Sequence, residues 1–155
     1  MGRVTKSKLN KTRCREIYET WLCVNYPQCF EKTRPLQKQF FQAVADGLPE
    51  DITRTQLRKS LEWYCTSIVY HESFGEYDQR INSDGSEGEA ITIEDRAYAQ
   101  RELTDSLARI AASKERSLAE KKKEKRARQD AFYKKQAKEK RKAKAASIKK
   151  EDQEG

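Results

Sequence analysis

The chain has 155 residues, of which 35% are hydrophobic and 37% charged, and its formal net charge is +8. That is enough for one modest domain with a polar extension and too little for two cores, and so high a charged fraction marks part of the chain as unpacked. No stretch approaches the run of about 18 apolar residues that a membrane span needs, and Met1–Asn10 lacks the apolar centre of a secretory signal, so a soluble, cytoplasmic protein is expected.

In chain order, residues 1–15 carry six Lys/Arg and no acid, and read as a basic N-terminal arm. Glu16–Tyr26 places Ile17, Trp21 and Leu22, with Tyr18 beside them, at helical spacing until Pro27 stops it. Arg34-Pro35-Leu36 then predicts the start of a second helix with an apolar face of Leu36, Phe40, Phe41 and Val44, capped at its end by Gly47. Thr53 and Gln56 form a T-x-x-Q capping box for a third helix, whose stripe of Leu57, Leu61, Tyr64, Cys65 and Ile68 carries it to about Tyr70. From Gly75 to Ala90 the texture changes to a strand-like piece at Gln79–Asn82 and an Asp84-Gly85 turn, which predicts a small β-hairpin or an ordered loop. Thr92 and Asp95 cap a further helix with an expected inner face of Ala97, Leu103, Leu107 and Ile110.

Beyond Ser113 the apolar period fails. Residues 114–150 carry seventeen Lys/Arg against five acids, with no Gly or Pro. Such a segment is a helix of roughly 55 Å at 1.5 Å per residue, or is partly disordered without a ligand. Partitioned this way, the charge is +6 over residues 1–15, −7 over 16–113, +12 over 114–150 and −3 over 151–155. The expected organisation is therefore a net acidic domain, 16–113, between a basic arm, 1–15, and a basic tail, 114–155. A polyanion is the natural partner for the flanks, nucleic acid before acidic lipid.

Cys14, Cys23, Cys29 and Cys65 form no C-x-x-C pair, and the single histidine, His71, is distant in sequence from most of them. Reduced cysteines in or near the core are expected, without disulfide, metal or other cofactor. A Cys65–His71 pair is the one nucleophile arrangement left open.

The string Tyr26-Pro27-Gln28-Cys29-Phe30, then Arg34-Pro35-Leu36, then Thr53-Arg54-Thr55-Gln56-Leu57-Arg58, then Leu61, Tyr64, Ser67 and Tyr70, then Arg80, Asp84-Gly85 and Gly88-Glu89 resembles the ProQ/FinO domain of bacterial RNA-binding proteins. No single element is decisive; their order over about residues 15–112 carries the likeness. The resemblance implies a mainly α domain with a small β-hairpin, in agreement with the pattern above. It also implies an RNA chaperone, not an enzyme, that binds intrinsic-terminator-like hairpins with single-stranded 3′ tails and acts with small regulatory RNAs in post-transcriptional regulation.

An A-form stem is recognised through backbone phosphates, and an unpaired end through aromatic surfaces and donors. Arg54 and Arg58, one helical turn apart, with Lys59 adjacent, are placed against stem phosphates. The first turn of their helix, Thr53 to Thr55, offers amides to a terminal phosphate. By resemblance, Tyr70 stacks on or hydrogen-bonds the terminal nucleotides and Arg80 holds their phosphates or ribose hydroxyls, with Arg34 and Lys38 as further contacts. The plainer readings are a solvated arginine pair and a core-edge tyrosine. Gln37, Glu62 and Val69 replace basic residues common in relatives, which narrows the positive face, and the β-rich C-terminal domain of longer members is not represented. Structured RNA is the expected partner of a monomeric, non-membrane protein. The rivals are a basic structural protein bound non-specifically to nucleic acid or the ribosome, and a small enzyme built on Cys65 or on Glu94 and Asp95.

Overall fold

The computed structural model describes residues 6–155, with side chains from Asn10 onward. The first five residues of the expected basic arm lie outside the described residues. Helix α1, Lys6–Ile17, runs through one π turn, Tyr18–Leu22, into α2, Cys23–Asn25. The helix thus begins ten residues before the apolar spacing predicts. Its early turns are held by contacts that spacing does not register: Cys14 and Ile17 are buried on the α5 side, and an Arg13 Nη donates to the carbonyl of Asp51 at 3.2 Å. The π turn is closed by the Cys23 N–H reaching the Tyr18 carbonyl. Tyr26 leaves helical geometry (φ −128°, ψ 55°) because Pro27 disfavours it in the residue before, and Pro27 opens the short α3, Pro27–Phe30.

The second expected helix starts late. Residues 35–37 are extended and lie parallel to the hairpin: the Ile81 N–H donates to the Pro35 carbonyl and the Gln37 N–H to the Ile81 carbonyl, both at 2.9 Å. Those bonds take the backbone groups that a helix from Arg34 would have used, and α4 spans only Phe40–Ala45. Gly47 follows the capping residue Asp46 and does not adopt positive φ.

Helix α5, Arg54–Cys65, has the expected box: the Thr53 hydroxyl accepts from the Gln56 N–H at 3.2 Å and the Gln56 side chain accepts from the Thr53 N–H at 3.0 Å. It ends five residues before Tyr70. The Thr66 and Ser67 hydroxyls donate back to the Glu62 and Tyr64 carbonyls, and Ser67 then accepts from the Tyr70 N–H, capping α6, Ile68–Ser73.

Strands β1, Gln79–Ile81, and β2, Glu87–Ala90, form the expected antiparallel hairpin, and Gly85 in its turn has φ +87°. Thr92 and Asp95 bond reciprocally, as a capping box requires, at the start of α7, Ile93–Glu151. The inner face of α7 differs from expectation. Ala99 is buried and Leu103 half-buried, whereas Ala97, Leu107 and Ile110 are exposed. Arg96 fixes the register instead, donating to the Phe74 and Tyr77 carbonyls at 2.7 and 3.1 Å.

The chain divides into residues 6–108 and 109–155. The core of the first is a run of edge-on aromatics, Tyr18–Phe30–Phe40 and Phe30–Tyr64–Tyr70–Phe74, with centroids 5.1–5.7 Å apart. The second is helical as far as Glu151 with every side chain exposed, which resolves the open reading of residues 114–150 in favour of helix. No helix among the described residues is long and apolar enough to cross a membrane.

Candidate nucleic-acid interface

Because α5 ends beside the extended 35–37 segment and β1 lies next to that segment, a groove opens between α4, α5 and the hairpin. It encloses about 460 Å³, and Lys38, Phe41, Arg58, Glu62, Cys65, Tyr70 and Arg80 are among its lining residues. The Arg58 guanidinium lies over the Phe41 ring, 5.0 Å from its centroid. Arg58 and Lys38 are both exposed and neither makes an ion pair among the described residues. Their positive charges are therefore available to an anion in the groove.

Arg80 and Tyr70 form the floor. Both are buried, at 7% and 6% exposure. One arm of the Arg80 guanidinium donates to the Leu36 carbonyl at 2.9 Å, the other pairs with Asp95 at 3.1 Å, and its Cζ lies 5.3 Å from the centroid of the Phe74 ring. The Leu36 N–H donates to the Tyr70 hydroxyl at 3.1 Å. Asp95, Arg80, Leu36 and Tyr70 are thus joined in one chain of polar contacts, with the Nε of Arg80 the buried atom left unpartnered. Burial works to raise the Asp95 carboxyl, but the Thr92 N–H and Arg80 outweigh it and hold the group below its ordinary range. Burial pushes the Tyr70 phenol up, so at neutral pH it is a hydroxyl that accepts from Leu36 and retains its own proton to donate.

Tyr70 does not offer an open stacking surface. Its ring packs edge-on against Tyr64, His71 and Phe74, so what it presents to the groove is an edge and a hydroxyl. The core-edge reading holds for its ring, and of the two expected contacts only hydrogen bonding fits its burial. Arg80 is likewise an anchored floor group rather than a free surface cation.

The remaining sequence-derived residues spread out. Arg54 is exposed and pairs with Asp46 at 3.1 Å, outside the groove lining. The Thr53 hydroxyl is spent on its cap. Thr55 and Lys59 face the α1 side, lining a small cavity of about 80 Å³ with Arg13 and Cys14. Arg34 sits against the hairpin, 4.5 Å over the Tyr77 ring and 3.7 Å from Glu87. The structure therefore brings together Lys38, Arg58, Tyr70 and Arg80, and not Arg34, Thr53, Arg54, Thr55 or Lys59.

Residues that sequence reasoning passed over complete the site: Phe41 beneath Arg58, Asp95 against Arg80, and Gln37, whose side chain accepts from the Ser83 N–H at 2.8 Å and pins the hairpin turn. Each left a signal in the sequence that points to a different role: Phe41 in an apolar helix face, Gln37 as a lost positive charge, and Asp95 in a capping box. On balance the surroundings of Cys65 disfavour its thiolate. Burial pushes its thiol up to about 11, and its partner is the Tyr70 hydroxyl rather than His71. The four cysteines are free, and no group of metal-binding side chains occurs among the described residues.

Fold and groove together define a class: a small, mainly helical domain with one β-hairpin and a cationic, aromatic-walled concave face. The chain belongs to the ProQ/FinO family, whose model matches residues 15–150. It is 35% identical over 123 residues to the RNA chaperone ProQ of Alteromonas mediterranea, covering 76% of this chain and 55% of that protein. The corresponding figures for the RNA chaperone ProQ of Idiomarina loihiensis are 32% over 105 residues, 64% and 50%. The chain spans about half the length of the curated relatives it matches. The solution structure of a ProQ homolog from Legionella pneumophila shares the fold, with a TM-score of 0.50, 24% identity, and coverage of 68% of this chain and 88% of that one.

Proposed function

We propose that this protein is an RNA-binding chaperone, without bond-making chemistry, that recognises terminator-like hairpins carrying a single-stranded 3′ tail and promotes pairing of small RNAs. The observation that carries the reading is the convergence of Lys38 and Arg58, neither ion-paired among the described residues, on a groove floored by Tyr70 and Arg80. A polyphosphate strand along that groove meets two exposed cations, and its unpaired end meets the Tyr70 hydroxyl and the Arg80 guanidinium. Residues 114–150, at +12, add a sequence-independent phosphate contact through counterion release. The relatives' common description as RNA chaperones supports the same conclusion. The division of labour proposed is a domain over residues 16–113 that selects and a basic helix that adds affinity.

The test is a gel-shift series on one hairpin with and without its 3′ tail, with duplex DNA as competitor. Tighter binding of the tailed hairpin is expected. Equal affinity for both hairpins, or preference for the DNA, would overturn the proposal in favour of a non-specific polyanion binder.

A further inference from the structure

Residues 109–155 are helical as far as Glu151 and bury no side chain, yet they carry a pair of aromatic rings. Phe132 is 58% and Tyr133 66% exposed, and their ring centroids lie 5.9 Å apart at an interplanar angle of 69°. Between Leu118 and Ile148 they are the only large apolar residues. An aromatic residue is a poorer helix former than the Lys, Arg, Ala, Glu and Gln that make up most of this segment, and here it gains no burial in return. Neither ring is accounted for by the fold.

Their neighbours along the helix are cations. Lys125, Arg128 and Lys135 share a face with Phe132, and Arg126 and Lys140 share one with Tyr133, at spacings of three, four and seven residues. Of these only Arg128 is ion-paired among the described residues, to Glu124, and the one acid within a turn of either ring is Asp130. A partner that fits must carry negative charge at close intervals and offer flat apolar faces, and a single nucleic-acid strand has both. A lipid surface needs a continuous apolar stripe, and a second helix needs an apolar residue every three or four positions; here Leu118 and Ile148 lie about four turns away on either side. A duplex offers the rings nothing, since its bases stack on one another, and rings standing at 69° can each take only a base splayed out of that stack.

We propose that Phe132 and Tyr133 form a stacking site for unpaired bases of a second RNA, outside the groove of the domain, with the strand's phosphates on Lys125, Arg126, Lys135 and Lys140. The proposal rests on the RNA-chaperone reading above and deepens it: the groove holds the hairpin, and the helix holds an unpaired stretch of the RNA to be paired with it. With both on one chain, pairing becomes an encounter at raised effective concentration rather than a free collision. The rings also give residues 114–150 a preference for single strands that charge alone does not supply.

The test titrates the full chain, by fluorescence anisotropy, with a circular oligouridine, which has no 3′ end for the groove to hold, and with a blunt RNA duplex. Phe132→Ala combined with Tyr133→Ala should weaken the oligouridine about tenfold and change the duplex by less than about twofold, because stacking is lost while every charge remains. Phe132→Leu with Tyr133→Leu should fail in the same way, since leucine keeps apolar surface but not a flat face. Circular dichroism should show the helix intact in both variants, alanine and leucine being better helix formers than the residues they replace. Wild-type affinity of either variant for the oligouridine, or equal weakening of single strand and duplex, overturns the stacking site. Unchanged oligouridine binding together with weaker binding to vesicles of anionic lipid assigns the rings to a membrane surface and likewise overturns it. The preference for tailed over tailless hairpins, measured on the same proteins, reports on the groove separately: its absence in wild type overturns the groove reading, while the loss on oligouridine still supports the site on the helix.

Discussion

Arg58 and Arg80 line the same groove, yet their replacement by alanine should differ several-fold in its cost to stability. Arg80→Ala leaves the Asp95 carboxylate, 18% exposed, and the Leu36 carbonyl without the guanidinium that serves both. Breaking a largely buried pair from one side costs about 3–5 kcal/mol. Because Asp95 keeps its bond to the Thr92 N–H, the lower end applies, about 3 kcal/mol. At about 4–8 °C per kcal/mol for a domain of this size, the melting temperature should fall by roughly 12–24 °C. Arg58→Ala removes an exposed guanidinium resting on Phe41 and should cost about 0.5–1 kcal/mol, a shift of a few degrees. Thermal unfolding followed by circular dichroism, alongside anisotropy with a tailed hairpin, separates the two. Both variants should bind RNA more weakly, but only Arg80→Ala should melt early. An Arg80→Ala protein that unfolds within a few degrees of wild type would refute the anchored role given to this side chain.

Tyr70→Phe removes the acceptor for the buried Leu36 N–H and should cost about 1–3 kcal/mol in chemical denaturation while reducing the preference for tailed over tailless hairpins. His71 gives a pH signature. Burial depresses its native value, so the unfolded chain takes the proton first; stability is complete above about pH 6.5 and falls as pH drops below that toward the native value. His71→Gln should therefore flatten the dependence of melting temperature on pH below neutrality, and an unchanged slope would show that another group titrates there.

What could be read from the sequence was local. Thr53 and Gln56 settle each other's hydrogen bonds within one turn, and Gly85 is needed by a tight hairpin whatever packs on it. What escaped it was set by contacts across the chain. Pro35 and Leu36 look like a helix start, and only the presence of Ile81 beside them makes the extended backbone the better-bonded choice. In the candidate site, Lys38, Arg58, Tyr70 and Arg80 were identifiable one by one, but the sequence cannot show that Arg54 is turned to Asp46 or that Lys59 faces α1. Nor could it show that the Tyr70 ring is enclosed by Tyr64, His71 and Phe74. Asp95 illustrates the limit best, since the same carboxylate that caps α7 also orients Arg80.

The central claim is that selectivity resides in the groove of the domain and much of the affinity in the +12 segment that follows it. Salt titration of hairpin binding, with and without the 3′ tail, by the full chain and by a chain ending at Ser113 tests this most directly. The account predicts that the shorter chain binds more weakly, with a shallower dependence of affinity on salt, and keeps its preference for the tailed hairpin. Loss of that preference, with the shorter chain still folded, would contradict it.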